Sequence, residues 1–335
     1  MWRQRLLRAA LTSGPLLLAL VLEVAVFEWL GARQGAPGFA SASTLIGVLN
    51  QSAVYGVMAV GMTFIIITGG IDLSVGSLLA LCGVASASVV LWGGEPALLW
   101  VLVGGCFALG VGAASGMFAG SLVAFAGIPP FIATLALMSS LRGLGNLWTD
   151  GTALSPMPPA FEVIGRGSVP VPGLGREVPL SVMIFLGVVV FDWVLLNQTR
   201  FGRHVRAIGG NEESARLSGV PVARVKVAVY ALGGVLTALA GLLLASRLGA
   251  GSPKVGVTDE LAVIAAVVVG GTSLSGGRGG IGGTLLGLLV VTTLDSGLNW
   301  IGVGTFGQQV TLGVVILAAV LLDTAKARLQ RAAAA

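Results

Sequence analysis

An aspartate interrupts the otherwise apolar stretch FIIITGGIDLSVGSLLALCGV, residues 64–84. Gly69 and Gly70 precede Asp72, and Ser74 follows it. Glycines loosen a helix end, and a carboxylate or hydroxyl can then cap the free N–H groups of the next helix. The stretch therefore reads first as a capped junction between two helices, with a functional role at the same turn as the second reading. Other polar side chains stand inside apolar runs: Asn50, Gln51, Arg142, Asn146, Asp192, Asp295, Asn299, Gln308 and Gln309. Polar groups in such runs are costly and point to function. Two readings stand side by side: hydrogen bonds between helices with interfacial snorkelling, or a polar lining for a hydroxyl-rich solute. Asn50, Gln51, Asn146, Asp295, Asn299 and Gln308 are the candidates for a translocation path, because hydroxyls pair well with amides and isolated carboxylates.

Catalytic chemistry finds few groups. The three lysines, Lys226, Lys254 and Lys326, lie outside any GxxxxGK[ST] loop, so no phosphate cradle of that kind is present. His204 is the one histidine and has no second ligand near it. Cys82 and Cys106 lie in apolar runs without metal or redox spacing. No GxSxG motif appears. The expectation is a protein that is not an enzyme, binds no metal and carries no cofactor of its own.

The elements that must position these residues follow from composition. Hydrophobic residues make up 55% and charged residues 10%, against about 25% charged in soluble domains. That much apolar side chain needs lipid to cover it. The 52 glycines suit close helix approach in a bilayer. The net charge of +5 shows no basic face with interleaved aromatics, so it reads as topological bias and not as a nucleic-acid surface.

The fold expected is all-α: a single transmembrane domain over 1–335, polytopic, with about ten spans. Candidate spans are 14–31, 44–68, 72–92, 97–118, 128–148, 179–196, 225–246, 260–273, 281–299 and 308–323. The eighth is short, and reads as tilted, extended or partly re-entrant. Arg3, Arg5 and Arg8 put the N-terminus inside, and ten spans return the C-terminus to the same side. Thirteen basic residues then fall inside, five outside and Arg142 within a span, which accounts for the nineteen in the chain. The N-terminal run resembles a signal peptide, but Glu23 and Glu28 interrupt it, so it reads as an uncleaved first helix.

Two hydrophilic loops are predicted. The outer one, 149–178, is Pro-rich (Pro156, Pro158, Pro159, Pro170, Pro172) and reads as extended and irregular. The inner one, 197–224, holds a short helix over Asn211–Leu217, capped by Asn211 with Glu212 and Glu213 in its first turn and ended by Gly219 and Pro221. Such a helix suits docking of a soluble partner. GGTSLSGG at 270–277 echoes the first junction, pairing Gly70-Ile-Asp-Leu-Ser with Gly271-Thr-Ser-Leu-Ser as a weak internal repeat.

Together, GMTFIIITGGIDLSVGSLLAL and AIGGNEESARLSGVPV resemble the permease subunits of bacterial ATP-binding-cassette (ABC) importers of the ribose, xylose and galactose type. The wider family includes branched-chain amino acid and autoinducer-2 permeases. GGTSLSGGRGGIGGTLLG and the late GLNWIGV…QQVTLGVVILAAVLLD extend the likeness across roughly 40–323. The resemblance implies a homodimeric pore in the bacterial inner membrane, two cytoplasmic ATPase subunits or one tandem ATPase that bind the ATP, and a periplasmic sugar-binding protein. It implies a coupling segment at 207–220, with Ala207, Gly209, Gly210, Asn211, Glu212, Arg216 and Gly219, and a family motif at Gly69, Gly70, Asp72 and Ser74. Its solute is a monosaccharide such as ribose, or alternatively another small polar solute. Read from residues alone, a secondary carrier and, more remotely, a membrane enzyme remain alternatives.

Overall fold

The computed structural model describes the backbone of residues 2–33, 35, 38–170 and 177–334, and side chains between 14 and 321 within those stretches. Arg3, Arg5, Arg8, Pro172, Arg176, Lys326, Arg328 and Arg331, used above for orientation or loop character, lie outside the described side chains.

The apolar runs fold as helices. In chain order these are α1 (Trp2–Arg33), α2 (Ala42–Ile67), α3 (Val75–Gly93), α4 (Ala97–Ala124), α5 (Pro130–Thr149), α6 (Pro159–Arg166), α7 (Leu180–Gln198), α8 (Arg200–Gly210), α9 (Glu212–Leu217), α10 (Val222–Leu248), α11 (Asp259–Val269), α12 (Ile281–Trp300) and α13 (Thr305–Ala334). A two-stranded antiparallel hairpin, β1 (Ser168–Pro170) with β2 (Glu177–Pro179), lies between α6 and α7. Seven helices are long and apolar enough to cross a bilayer: α1 (from Gly14), α2, α3, α4, α7, α10 and α12. The chain is therefore an all-α, multi-pass membrane protein.

Two helices form the centre. Every residue of α3 from Val75 to Ala87 is buried, and so is every residue of α2 from Gly56 to Ile67. A helix apolar on all sides belongs inside a bundle. α4 differs. It buries a narrow stripe, Gly104, Ala108, Gly112, Gly116 and Gly120 among others, and exposes Leu98, Leu102 and Phe118 as lipid-facing bulk. The stripe packs on α3 at Gly104 and on α10 from Gly112 to Gly120. A Cβ at Gly120 would stand 2.8 Å from Val227 Cα, and at Gly112 and Gly116 it would overlap the carbonyl oxygens of Gly234 and Tyr230. Only glycine admits that approach.

The 149–178 segment is not the extended and irregular loop expected of it. Pro158 and Pro159 occupy the N-cap and first position of α6, where a missing N–H costs nothing and the fixed φ suits the helix. The prolines begin a helix instead of preventing one. Phe161 is buried, Ser246 Oγ accepts from Gly165 N–H at 2.7 Å and donates to the Phe161 carbonyl at 2.6 Å, and Leu154 and Gly251 exchange backbone hydrogen bonds. The loop is thereby clamped onto the end of α10.

The segment 197–224 is more helical than expected. α8 fills 200–210, with Thr199 Oγ1 accepting from Gly202 N–H and with Val205 and Ile208 buried. The 207–220 stretch is thus not one helix. It is a corner: the end of α8, the six-residue α9, and a turn at Gly219 with φ +82°. At the corner Asn211 Oδ1 accepts from Ser214 N–H at 2.8 Å.

Candidate functional site

The short helix α11 is entered by irregular backbone, residues 249–258, after α10. Carbonyls there have no helix to satisfy them. Arg142, reaching from α5, donates to the carbonyls of Pro253 (2.8 Å), Val255 (2.5 Å) and Gly256 (3.0 Å). A guanidinium is the side chain whose fixed fork can serve several acceptors at once. The break delivers Thr258, in the left-handed region at φ +71°, and then the acids Asp259 and Glu260 in the first turn of α11. A non-glycine residue held at positive φ marks a site where the surroundings over-determine the backbone.

That helix start faces a cavity of about 210 Å³ between α2, α11, α12 and α13. Its polar lining comes from Tyr55, Thr258, Asp259, Thr292, Asp295, Thr305, Gln308 and Gln309, and the larger share of the wall is apolar, from Val257, Ala262, Leu288, Val291, Leu294, Leu298 and Leu312. Tyr55 Oη donates to Asp259 Oδ1 at 3.2 Å. Gln51 Nε2 donates to Asp295 Oδ2 at 2.7 Å, and Ser296 Oγ donates to Gln51 Oε1 at 2.9 Å. Among the described residues, neither Asp259 nor Asp295 has a basic group within salt-bridge distance. Carboxylate acceptors, a phenol and two amides around one small space form a set that hydroxyls satisfy in both directions.

Of the residues selected on type alone, Asp295 and Gln308 line this cavity, and Gln51 stands directly behind Asp295. Asn50 sits one residue away and accepts from Ser181 Oγ at 2.6 Å, while its carbonyl takes Arg247 Nη1 at 3.3 Å. Asn146 lies elsewhere: its amide donates to the Arg142 carbonyl one turn back. Asn299 is exposed at the end of α12 and does not line the cavity. Tyr55, Thr258 and Asp259 were not selected. Tyr55 carried a signal, since it follows Gln51 by four residues and shares its helix face. The Asp259–Glu260 pair at the head of a short apolar run carried another.

The first junction is built differently from the capping reading. Asp72 is buried, and its Oδ1 accepts from the Ser74 amide at 2.8 Å and the Ser74 hydroxyl at 2.6 Å. Ser74 occupies the N-cap position of α3 but makes no side-chain cap bond. The carboxylate closes a turn before the helix and does not cap the helix itself. Gly69 (φ +81°) and Gly70 end α2 by bonding to Ile66 and Ile65 carbonyls. Gly271 (φ +87°) and Thr272 end α11 by the same pattern on Val268 and Val267. The structural equivalence is therefore Gly69 with Gly271, one residue off the pairing read from the sequence, because left-handed φ and not the shared Leu-Ser marks the helix stop.

On the same side as these junctions, Lys226 Nζ reaches Glu212 at 2.7 Å and ties α9 to α10. Arg216 lies 3.5 Å from the same carboxylate. Ala207, Gly210 and Gly219 are exposed around the corner, and Gly209 is tucked beneath it.

The chain is similar to known transport proteins over most of its length. The family described as branched-chain amino acid transport system / permease component matches residues 44–322. The ribose import permease protein RbsC of Bacillus subtilis (strain 168) is 48% identical over 292 residues, 87% of each chain. RbsC of Escherichia coli (strain K12) is 43% identical over 330 residues, 97% of each chain. The xylose transport system permease protein XylH of Escherichia coli (strain K12) is 35% identical, covering 92% of this chain and 91% of its own. No solved structure matches the chain significantly. With its multi-pass helical body and a match spanning four fifths of its length, the chain belongs to the branched-chain amino acid transport system / permease component family.

Proposed function

We propose that this chain is the permease subunit of an ABC importer that moves a monosaccharide of the ribose or xylose class across the bacterial inner membrane. The observation that carries the reading is the likeness over nearly the whole chain to permeases named for ribose import. The polar cavity beside Asp259 and Asp295 supports a hydroxyl-rich solute.

In this reading the protein spans the membrane about ten times, with α5, α11 and α13 completing the seven long apolar helices. Both termini and the 197–224 segment face the cytoplasm, and 149–178 faces the periplasm. Two copies form the pore. Separate ATPase subunits bind and hydrolyse ATP and grip the corner around Ala207–Val220. A sugar-binding protein delivers the solute from outside. Closure of the ATPases pushes the corner and rocks the spans, so that access alternates across the bilayer.

The test is uptake of radiolabelled D-ribose into proteoliposomes containing the chain, its ATPase subunits and its sugar-binding protein. Uptake should need all three and ATP. Uptake by the chain alone, without ATP, would establish a secondary carrier instead.

A further inference from the structure

Gly209 stands where three segments meet. It is the penultimate residue of α8, and it faces the last residue of α2 and the glycine loop that follows α11. The Gly277 amide donates to the Ile67 carbonyl at 2.9 Å, joining the first helix junction to the second. A Cβ on Gly209 would fall on both partners of that bond, the Ile67 carbonyl oxygen and the Gly277 amide nitrogen, and 2.9 Å from the Ile67 carbonyl carbon. Gly276, at φ +83°, is packed so that its own Cβ would lie 2.9 Å from the Gly209 carbonyl oxygen and 3.1 Å from the Gly69 amide. Gly277, at φ +75°, would place one 3.1 Å from Gly210 Cα. Backbone therefore touches backbone on every side of this point, with no side chain between to flex.

We propose that Gly209 is the positioning residue through which a push on α8 reaches both helix junctions as one displacement. The inference rests on the reading of 197–224 as the surface gripped by the ATPase. Its physical content is geometric. The two junctions end in equivalent left-handed glycines, and a hydrogen bond already links them. The α8 end lies against that bond, so it cannot advance on Ile67 without advancing on Gly277. Side chains at this point would let one junction yield while the other stayed.

Gly209→Ala tests this directly, with Gly282→Ala as the control. Both place alanine in a helix, where it is the better helix former, and a Cβ at Gly282 meets nothing within 4 Å. In proteoliposomes with the ATPase subunits and the sugar-binding protein, Gly209→Ala should lower ATP-driven D-ribose uptake about tenfold or more. ATP hydrolysis should continue but lose its stimulation by sugar-loaded binding protein, a readout that simple loss of folded protein would not produce. Gly282→Ala should stay within about twofold of the unaltered chain. Uptake by Gly209→Ala within that same margin would overturn the proposal.

Should Gly209→Ala fail to insert, Gly210→Cys with Gly277→Cys, in a chain carrying Cys82→Ala and Cys106→Ser, reads the same point. The quantity measured is the ratio of oxidised to reduced uptake for one preparation. A ratio near unity means α8 and the second junction travel together. A fall of about tenfold on oxidation, reversed by reductant, means that they slide past each other and sinks the idea. Absence of ATP-driven uptake by the unaltered chain would remove the functional reading and this proposal with it. Normal uptake in all variants would remove the proposal alone.

Discussion

The two ends of the helical bundle are built from opposite materials. Around the cavity the contacts run between side chains: Tyr55 donates to Asp259 and Gln51 to Asp295, with Gln308 nearby. At Gly209, Gly276 and Gly277 backbone meets backbone with no room for a Cβ, while a separate pocket of about 380 Å³ opens beside them between Gly69, Gly70, Glu212, Arg216 and Lys226. Side chains can rearrange around a solute in nanoseconds, whereas packed backbone shifts only as a block. One end is suited to accepting a ligand and the other to passing on force.

Breaking the cavity end should have the largest effect. Arg142→Leu strands three carbonyls that the guanidinium now serves, and each buried unsatisfied group costs about 1–3 kcal/mol. The variant is expected to accumulate poorly and to lose its cooperative melt in detergent. Lysine at this position, a point donor without the fork, should recover only part of the loss.

Next, Asp295→Ala removes the acceptor held by Gln51 while leaving the fold intact. D-ribose uptake by the reconstituted importer should drop about tenfold, the scale of one lost polar contact to a charged group. Thermal stability should move by little. Unchanged uptake would take Asp295 off the solute path and weaken the contrast drawn here.

The corner of α8 and α9 should answer more mildly to charge than to bulk. Glu212 is about two-fifths exposed, so its pair with Lys226 is screened by water and contributes less than about 1 kcal/mol. Glu212→Lys is expected to lower uptake a few-fold, and combining it with Lys226→Glu should restore most of it. If the swap restores nothing, Glu212 meets a partner outside this chain and not Lys226 alone.

The smallest effect is expected at Asp192. It is fully buried, and neither carboxylate oxygen has a hydrogen-bond partner among the described residues. Burying an unpaired polar group opposes folding. Asp192→Leu should melt at the same temperature or higher. A lower melting temperature would show that a partner, lipid headgroup or second copy satisfies that carboxylate.

What could be read from the residues was what local physics decides. Asn211 capping α9 was legible because an Asn followed by two acids is a helix start wherever it occurs. Each of the ten apolar runs contains a helix, because composition separates lipid-facing and buried segments from water, but among the described residues only seven of these helices are long and apolar enough to cross a bilayer, and the 260–273 run is helical only to Val269. α8 was missed because RFGRHVRAIGG shows no apolar run; its helicity comes from seating Val205 and Ile208 against the bundle. Arg142 was open to two readings, hydrogen bonding between helices with snorkelling or a polar lining, and the structure shows hydrogen bonding to a distant segment. Its acceptors are more than one hundred residues away, so no window of sequence contains its partners. Asp72 was seen as unusual for the right reason, yet which N–H its carboxylate takes depends on a turn geometry that residue type does not specify.

The glycine stripe of α4 has a mechanical corollary. Where Gly112, Gly116 and Gly120 let two helices touch through their main chains, no compressible layer separates them. Small sliding would drive carbonyls into α-carbons, so α4 and α10 must travel as a single girder. In the proposed transport cycle, relative helix movement must therefore fall outside this seam, and engineering that seeks to stiffen or loosen turnover has its levers elsewhere in the bundle.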